Sequence, residues 1–496
     1  MADKAPMKKS IYGSWDEDTI NTFKKWQRRT ILITMIGYAA FYLVRKNFSL
    51  AMPGMTAEYG ISNTSFGIVI GIGSLIYGLS RFLNGFLADR VSARLLMSTG
   101  LLLCALANVA FGFGYDLSYL VTGSGDGPQV VNTLVMLMGI TIIVNQYFQG
   151  MGFPPCARTL PQWIHPSELA TKMSVWNTSH SIGAACAVVV CGYIMAHFGI
   201  DMSHDPDVVA GIAANLGISQ DDPEGMKRVM EYASHTGAWK WCFWIPAIVS
   251  LVTSVWLFFG LKDSPSKVGL PELPGTEITH GNDSGTKANR RFMMYMVFRN
   301  PYIWILCIAN LFVYVMRMGI LDWGPKFLTE SRGMSIVSAG WSVALFEICA
   351  IAGMLVAGWM TDRFFKGKAH HTCVYCMVGA TIFMGIFVLF PDLPAVVSSA
   401  CLALSGFCIY GPQALVGVAI ANQATKDLSA TANGLNGILG YLGSFFSALG
   451  VGILADSFGW DTVFMAIICA GVVGGVIFSL MWKAPRDGYG RARKFE

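Results

Sequence analysis

The chain has 496 residues, of which 54% are hydrophobic and only 13% are charged, and its mean hydropathy is +0.51. Soluble globular proteins carry about 25% charged residues, so this composition excludes a soluble enzyme, a disordered scaffold and a secreted disulfide-rich module, and indicates that most of the protein's surface faces lipid. The net charge of +5 does not indicate nucleic-acid binding, because the basic residues form no stripe with interleaved aromatic residues.

The predicted elements are apolar runs of about 20 residues, the length that a helix needs to cross the ~30 Å hydrocarbon core of a bilayer. They lie at residues 30–52, 64–88, 94–114, 132–155, 173–197, 239–261, 301–321, 337–360, 372–390, 395–421, 431–455 and 461–482. The sequence therefore predicts an all-α membrane protein with twelve transmembrane helices. A polar N-terminal segment, 1–29, precedes them and contains no apolar core of a cleavable signal peptide.

A stretch rich in Pro, Gly and Ser at 262–291 has the composition of a flexible linker. It divides the chain into an N-terminal six-helix bundle, 30–261, and a C-terminal six-helix bundle, 292–482, followed by a tail, 483–496. Most of the 35 Lys and Arg residues fall in the N-terminal segment, the even-numbered loops and the tail. Since cytoplasmic loops are enriched in Lys and Arg, both termini are expected in the cytoplasm.

Two insertions are then expected on the external side, at 115–131 and 198–238. The second insertion is acidic, and its sequence predicts a short helix near 223–235. No chemistry is apparent in either insertion.

The two sets of six runs are similar to each other, which indicates a parallel duplication. The first and seventh runs each contain a trio with spacing i, i+4, i+7, which places its members on one helix face. The trios are Tyr38, Tyr42 and Arg45, and Asn310, Tyr314 and Arg317. The loops after the second and eighth runs share a Gly-x-x-x-Asp-Arg pattern. Its members are Gly85, Asp89 and Arg90, and Gly358, Asp362 and Arg363.

Three arginines, Arg45, Arg81 and Arg317, lie well inside apolar runs, where insertion costs about 2.5–3.5 kcal/mol each. Residues with that cost are expected to face a cavity or a partner. The duplication makes Arg45 and Arg317 equivalent, so we expect them on opposite walls of one central cavity. Two guanidinium groups suit a phosphate dianion, because Arg pairs bidentately with its oxygens. Alternatively, both arginines are structural and pair with Glu347 and Asp322, but Lys46 and Arg81 would then lack partners.

Three further candidates have alternative interpretations. Arg81 is expected in the site, although it is near enough to the end of its helix to extend to the cytoplasmic edge. His180, in the middle of the fifth run, can donate to phosphate or carry a proton, or simply bond a neighbouring Tyr or carbonyl. Lys46 and Asp322 are predicted to pair across the two halves as a latch, the alternative being that Asp322 meets water at a helix end.

Twelve spans in two halves, with the Gly-x-x-x-Asp-Arg loops, resemble the major facilitator superfamily. Five segments carry a more specific resemblance, to the organophosphate:phosphate antiporter family within this superfamily. That family includes bacterial glycerol-3-phosphate and hexose-6-phosphate transporters. These segments are Tyr42-Leu-Val-Arg45-Lys46-Asn47-Phe48, Gly150-Met-Gly-Phe-Pro154-Pro155-Cys156-Ala-Arg158, Trp176-Asn177-Thr-Ser-His180, Arg317-Met-Gly-Ile-Leu-Asp322-Trp323 and Tyr410-Gly411-Pro412. The resemblance runs from about residue 24 to 482.

The resemblance implies a secondary transporter of the bacterial inner membrane that exchanges a phosphorylated metabolite for inorganic phosphate while residues 1–261 rock against 292–496. It implies that the two trios, Arg81 and His180 bind substrate, and it supports a Lys46–Asp322 latch. Glu347 and the two Gly-x-x-x-Asp-Arg loops are expected to take part in gating. The family has Lys at the position of Arg81, and its pattern continues His-Asn where Ser181 follows His180 here, so the geometry at both positions is expected to differ.

Other classes remain open. Relatives that sense a sugar phosphate would use the same arginines, whereas a proton-coupled drug exporter would need an apolar cavity with a buried acid. The sequence contains no apparent nucleophile–base pair, so an enzyme is not indicated. It contains no Gly-x-x-x-x-Gly-Lys-Ser/Thr phosphate-binding loop, so ATP hydrolysis is not indicated either. No cofactor is expected. His370, His371, Cys373 and Cys376 resemble half of a metal site, but no second half with suitable spacing is near. Twelve spans suffice for a monomeric pathway.

Overall fold

The computed structural model describes residues 12, 15–123, 127–273, 291–390, 393–424 and 428–493. These residues form helices, and the single β-bridge among them joins Ile200 to Thr236. In the N-terminal half the helices are α1 (Glu17–Lys46), α2 (Phe48–Tyr59), α3 (Asn63–Arg90), α4 (Ala93–Gly112), α5 (Gly114–Thr122), α6 (Pro128–Gln149), α7 (Phe153–Trp163), α8 (Pro166–His197), α9 (Pro206–Leu216), α10 (Pro223–Ala233) and α11 (Ala238–Gly260). In the C-terminal half they are α12 (Pro301–Glu330), α13 (Ile336–Arg363), α14 (Ala369–Leu389), α15 (Ala395–Ala424), α16 (Ser429–Phe458), α17 (Trp460–Ser479) and the short α18 (Tyr489–Ala492).

The prediction of an all-α membrane protein is confirmed. Within the described residues, eleven helical segments are long and apolar enough to cross a membrane by length and composition. One of them, Pro128–Trp163, joins α6 and α7. The first predicted span is absent from the eleven because basic residues at both ends of the apolar part of α1 lower its hydropathy. These residues are Arg28, Arg29, Arg45 and Lys46.

The structure differs from the first predicted span in where the helix begins and in dividing the span into two helices. Helix α1 begins at Glu17, inside the segment predicted to be a polar terminus, where the Asp16 side chain caps it by accepting a hydrogen bond from the Thr19 N–H. Val44 departs from helical geometry (φ −91°, ψ 15°), and the chain restarts as α2 after Asn47. The span predicted at 30–52 is therefore two helices joined at Asn47.

Both predicted insertions contain folded structure. The first contains α5, and the second contains α10, close to the helix predicted at 223–235, together with α9, which the sequence did not predict. Helices α9 and α10 share a small apolar core with Ala57 of α2. The Glu58 carboxylate then joins α2 to the end of the insertion, accepting hydrogen bonds from Gly237 N–H (2.7 Å) and Trp239 Nε1 (3.1 Å). The insertion is therefore anchored on α2. Of the predicted linker, residues 274–290 lie outside the described residues.

The two halves meet mainly at one face of the bundle, called here the far face because the described chain ends lie at the opposite, termini face. Helix α3 packs along α16, and α8 packs along α13. A Cβ added at Gly67 would lie 2.6 Å from the Ala448 carbonyl oxygen, and one at Gly340 would lie 2.9 Å from that of Val188. Only glycine permits this approach of the backbones.

The termini face is open by comparison. A Cβ added at Gly85 of α3 or Gly358 of α13, the first residues of the two Gly-x-x-x-Asp-Arg motifs, would meet nothing within 4 Å. Also at the far face, α10 borders the 329–336 segment of the other half across a cavity of about 150 Å³, lined by Arg228, Tyr232, Thr329 and Gly333 among others.

Candidate substrate site

A cavity of about 800 Å³ lies between the two halves. The N-terminal half lines it with residues of α1, α3, α7 and α8, and the C-terminal half with residues of α12, α13, α15 and α16. Toward the termini face its walls include Gly434 and Gly437, where an added Cβ would meet nothing within 4 Å. A solute in this cavity would touch both halves at once.

The cavity is lined by cations. Arg45, Lys46, Arg81 and Arg317 all contribute to its wall, together with His180, and none of the described lining residues is Asp or Glu. Three of the four cations are arginines, which keep their charge when removed from water. The wall therefore favours an anion.

Arg45 projects from the last turn of α1, next to the break at Asn47. Its guanidinium carbon lies 3.8 Å from the ring centroid of Tyr77 and 5.6 Å from that of Tyr42. No ion pair joins it to a carboxylate within the described residues. Aromatic rings orient a guanidinium without neutralising it, so Arg45 retains its capacity to bind an anion.

Arg317 occupies the equivalent place on α12. Its guanidinium carbon lies 4.5 Å from the ring centroid of Tyr410, and Nη2 lies 4.0 Å from Glu347 Oε1. The same carboxylate oxygen accepts a hydrogen bond from the Tyr410 hydroxyl. Nε of Arg317 is buried and has no hydrogen-bond partner within the described chain. The pairing of Arg317 with Glu347 considered from the sequence is thus present but long, while Asp322 pairs with Lys46 and not with an arginine.

Arg81 turns toward the cavity and does not extend to the membrane edge. Its Nη1 donates to the Tyr441 hydroxyl (3.1 Å), and its guanidinium carbon lies 4.3 Å from the ring centroid of Phe153. Tyr441 also contacts the ring of Tyr77 (5.0 Å between centroids), and Tyr77 holds Arg45. Arg45 and Arg81 are therefore linked through two tyrosines. Tyr77 belongs to the N-terminal half and Tyr441 to the C-terminal half.

His180 lies between the two halves. Its ring centroid is 5.6 Å from that of Tyr42 and 6.3 Å from that of Tyr410, to which it is nearly parallel. Its Nδ1 contacts the Asn177 carbonyl one helical turn earlier. A continuous path of rings thus runs from Arg45 through Tyr42, His180 and Tyr410 to Arg317.

Of the remaining residues of the two trios, two tyrosines line the cavity and the asparagine does not. Tyr38 lines the cavity and stacks on Trp176 at 5.0 Å. Tyr314 also lines it, and its hydroxyl accepts a hydrogen bond from Gln413 Nε2 (3.3 Å). Asn310 is outside the described lining; its side chain is buried and donates to Asn436 Oδ1 (2.8 Å).

Sequence reasoning did not single out Tyr77, Tyr410 and Tyr441 as site residues. Tyr77 had a usable signal, because it precedes Arg81 by one helical turn and shares its face. Tyr410 lies in the Tyr-Gly-Pro segment, although nothing in that segment indicates a contact with His180 or Arg317. No local pattern marks Tyr441.

The Lys46 and Asp322 side chains meet at the boundary between the halves. Lys46 Nζ lies 2.5 Å from Asp322 Oδ1, and the two side chains are 7% and 14% exposed. Both border a second, smaller cavity of about 50 Å³. Arg45, Asn108 and Asn145 also line this cavity.

The two Gly-x-x-x-Asp-Arg motifs were predicted as loops, but they form the last turns of α3 and α13. Arg90, Asp362 and Arg363 are exposed, and no ion pair involves any of them within the part of the chain that the structure describes. The side chain of Asp89 lies outside the described residues. Among the described side chains, no ion pair therefore links the two motifs.

The cysteine–histidine cluster gives no metal site in the described residues, where no group of three or more His, Cys, Asp or Glu side chains is placed to hold an ion. His371 Nε2 contacts the Trp482 carbonyl oxygen (2.8 Å), and the two rings stack at 4.3 Å.

Two helical halves around a cation-lined cavity, joined at one face and apart at the other, define a multi-pass membrane transporter. The chain belongs to the Major Facilitator Superfamily, whose family model matches residues 34–448. The predicted superfamily is thereby confirmed.

Curated relatives cover nearly the whole chain. It is 33% identical to the glycerol-3-phosphate transporter of Bacillus subtilis (strain 168), covering 93% of each chain. It is 29% identical to a probable hexose phosphate transport protein of Chlamydia muridarum, covering 93% of this chain and 92% of the relative. It is 28% identical to the membrane sensor protein UhpC of Escherichia coli (strain K12), covering 91% of each.

Among solved structures, a bacterial homolog of the human lysosomal transporter Spinster, in an inward-facing and unoccupied conformation, superposes with a TM-score of 0.67 at 13% identity, covering 92% of this chain and 96% of that one. This similarity establishes the fold.

Proposed function

We propose that this protein is a secondary transporter that exchanges an organophosphate, glycerol-3-phosphate or a hexose-6-phosphate, for inorganic phosphate across the bacterial inner membrane. The proposal is supported by the two relatives named as glycerol-3-phosphate and hexose phosphate transporters. A monomer is sufficient, since one chain supplies both walls of the cavity.

The single observation that carries the proposal is the position of Arg45 and Arg317 on the walls that the two halves contribute to one cavity, whose described lining includes no carboxylate. Arg45, Arg81 and Arg317 bind the phosphate group, and Tyr38, Tyr42, Tyr314 and His180 complete its surroundings. Asn310 acts at a distance from the substrate by holding Asn436, which lines the cavity.

Exchange follows from the charge of the empty cavity. With no anion bound, the arginines of the two walls repel one another, and bringing the walls together in low dielectric raises that repulsion. A doubly charged phosphate group neutralises them and allows the halves to close around it. Only the loaded carrier then crosses, so each inward passage of one anion requires the outward passage of another.

The basic loops support an orientation in which the termini face lies in the cytoplasm, because cytoplasmic loops are enriched in Lys and Arg. The described conformation then opens inward, with the far face closed by the α3–α16 and α8–α13 contacts. Lys46 and Asp322 act as a latch that must part when the far face opens, and Glu347 holds Arg317 while the site is empty. Gly85, Asp89 and Arg90 and their counterparts Gly358, Asp362 and Arg363 meet at the termini face in the outward-open state.

The test is uptake by purified protein in phosphate-loaded vesicles. Labelled glycerol-3-phosphate or glucose-6-phosphate should enter phosphate-loaded vesicles and should not accumulate in vesicles that lack internal phosphate. Equal uptake into both would contradict exchange, and uptake of neither compound would contradict the assigned substrate class.

The similarity to the membrane sensor protein UhpC favours a second candidate, a receptor that binds a sugar phosphate without transporting it. The same vesicles distinguish the two. A receptor would retain binding of glucose-6-phosphate, measured with the purified protein, while showing no phosphate-dependent uptake.

A further inference from the structure

The outer surface of the N-terminal half has a groove of about 620 Å³ between the first turns of α1 and the end of α11. None of its lining residues lines the central cavity. At the termini face the groove is lined by four basic residues of α1, Lys24, Lys25, Arg28 and Arg29. A groove with this charge selects an anionic occupant.

The same groove becomes apolar along its length. Leu32 and Ile36 of α1 and Trp256 of α11 line its other end, and they are 56%, 48% and 43% exposed. Arg28, Leu32 and Ile36 are spaced by four residues along α1, so they form one continuous stripe on the helix surface. The stripe therefore changes from basic to apolar along α1, away from the termini face.

The basic residues of the groove are available to a ligand. Within the described chain, no ion pair joins any of the four to a carboxylate, although Lys172 and Lys240 elsewhere in the same half pair with Glu168 and Asp116. Two of the four lie over aromatic rings. Lys24 Nζ is 5.6 Å from the centroid of Tyr12, and the Arg29 guanidinium is 4.7 Å from that of Trp26.

The first turns of α1 are held in place without a ligand. Phe23 is fully buried and lies 5.6 Å from Trp163 between ring centroids, while Gln27 donates to the Trp163 carbonyl oxygen. The groove is therefore preformed, which reduces the entropy lost when a ligand binds.

We propose that this groove is a binding site for an anionic phospholipid. The phosphate lies against Lys25 and Arg28, and an acyl chain follows Leu32, Ile36 and Trp256 into the bilayer. Basic pockets beside transmembrane helices bind anionic headgroups at the cytoplasmic surface. A free phosphate ion would use only the basic end and would leave the apolar end exposed, so the lipid is the occupant that matches the whole groove.

The experiment measures the thermal unfolding midpoint of the purified full chain in detergent as phosphatidylglycerol is added, with phosphatidylcholine of the same acyl chains as the neutral lipid. Wild type and the double variant Lys25→Gln/Arg28→Gln are compared. The matched control is Lys483→Gln/Arg493→Gln, which removes the same charge from exposed positions in the C-terminal tail. Unfolding without added lipid reports whether each variant folds normally.

We expect phosphatidylglycerol to stabilise the wild type and the control at the same lipid concentration, and phosphatidylcholine to have no such effect. Each interfacial Lys or Arg contributes about fivefold to binding, so the double variant should require about 30-fold more phosphatidylglycerol. Inorganic phosphate, used as the headgroup without tails, should stabilise all three proteins equally.

Three results would overturn the lipid site. Equal phosphatidylglycerol dependence in the double variant and the wild type would place the lipid elsewhere. A loss as large in the tail control would indicate general charge attraction. If the double variant instead responded less than the wild type to inorganic phosphate, the groove would be a site for a soluble anion.

Discussion

The carboxylate of Asp456, near the end of α16, accepts a hydrogen bond from the backbone N–H of Thr64 at the start of α3, with an Oδ2–N distance of 2.6 Å. The Asn63 N–H donates to the other carboxylate oxygen at 3.0 Å. A carboxylate of the C-terminal half therefore caps a helix of the N-terminal half, where free N–H groups and the helix dipole favour negative charge. The closed far face is held by this contact as well as by packing.

The glycine contact beside this cap should control how often the far face opens. A Cβ at Gly452 would lie 2.5 Å from the Asn63 carbonyl oxygen, whereas one at Gly450 would meet nothing within 4 Å. Gly452→Ala should therefore separate α3 from α16 and raise the hydrogen-exchange rate of the Thr64 amide by about tenfold, the effect of a core overpacked by 1–2 kcal/mol. Gly450→Ala should leave that rate unchanged. Equal rates in both variants would contradict a closure based on this contact.

The latch should behave as a buried ion pair. Lys46→Met or Asp322→Leu alone leaves one charge unpaired at a largely buried site and should cost about 3–5 kcal/mol in the free energy of unfolding, whereas the double variant should cost less than either. The Lys172–Glu168 pair, 30% and 41% exposed, is the matched control and should couple by less than about 1 kcal/mol. Additive losses at Lys46 and Asp322 in a double-mutant cycle would refute the latch.

The two central arginines should not tolerate lysine. Arg45→Lys and Arg317→Lys keep the charge but lose the bidentate fork, and each should weaken phosphate binding by about 10- to 150-fold, as expected for losing one hydrogen bond to a charged group. Equilibrium binding of labelled phosphate to purified protein measures this loss. Arg299→Lys, at an exposed position outside the cavity, is the control. Unchanged binding in either central variant would remove the basis of the proposed site.

A buried lysine also joins the halves at the far face. Lys326 is fully buried, and its Nζ donates to Thr56 Oγ1 of α2 at 2.5 Å. Thr56→Val should cost about 1–3 kcal/mol of closed-state stability, since it leaves a buried donor with one fewer partner, and should raise hydrogen exchange at the start of α3. Thr381→Val removes a hydroxyl that bonds its own helix, at the Met377 carbonyl, and should not change that exchange. A similar response to both substitutions would exclude a special role for the Thr56 contact.

The duplication makes most of the site predictable. It relates Arg45 to Arg317 from their positions in the chain, and both line one cavity; the adjacent Lys46 meets Asp322. The first relationship follows from the duplication and from the cost of placing an arginine in lipid, and the second was a prediction that the family resemblance supported.

The parts that were not predicted depend on packing between distant helices. Tyr441 reaches Arg81 from the other half, and Tyr410 lies between His180 and Arg317; nothing near either tyrosine in the chain encodes the contact. The break at Asn47 was missed for a related reason. Asn47 donates to Asn108 Oδ1 and to the Cys242 carbonyl, and these tertiary partners permit a helix end inside an apolar run.

The second insertion offers a place on the external surface where the movement of the two halves can be blocked. It is anchored on α2, and its α10 borders the 329–336 segment of the opposite half, so on the proposed orientation it bridges both moving parts on the external surface. An antibody fragment that clamps α10 to that segment would arrest the carrier with its cargo path facing the cytoplasm, without entering the membrane or competing with substrate.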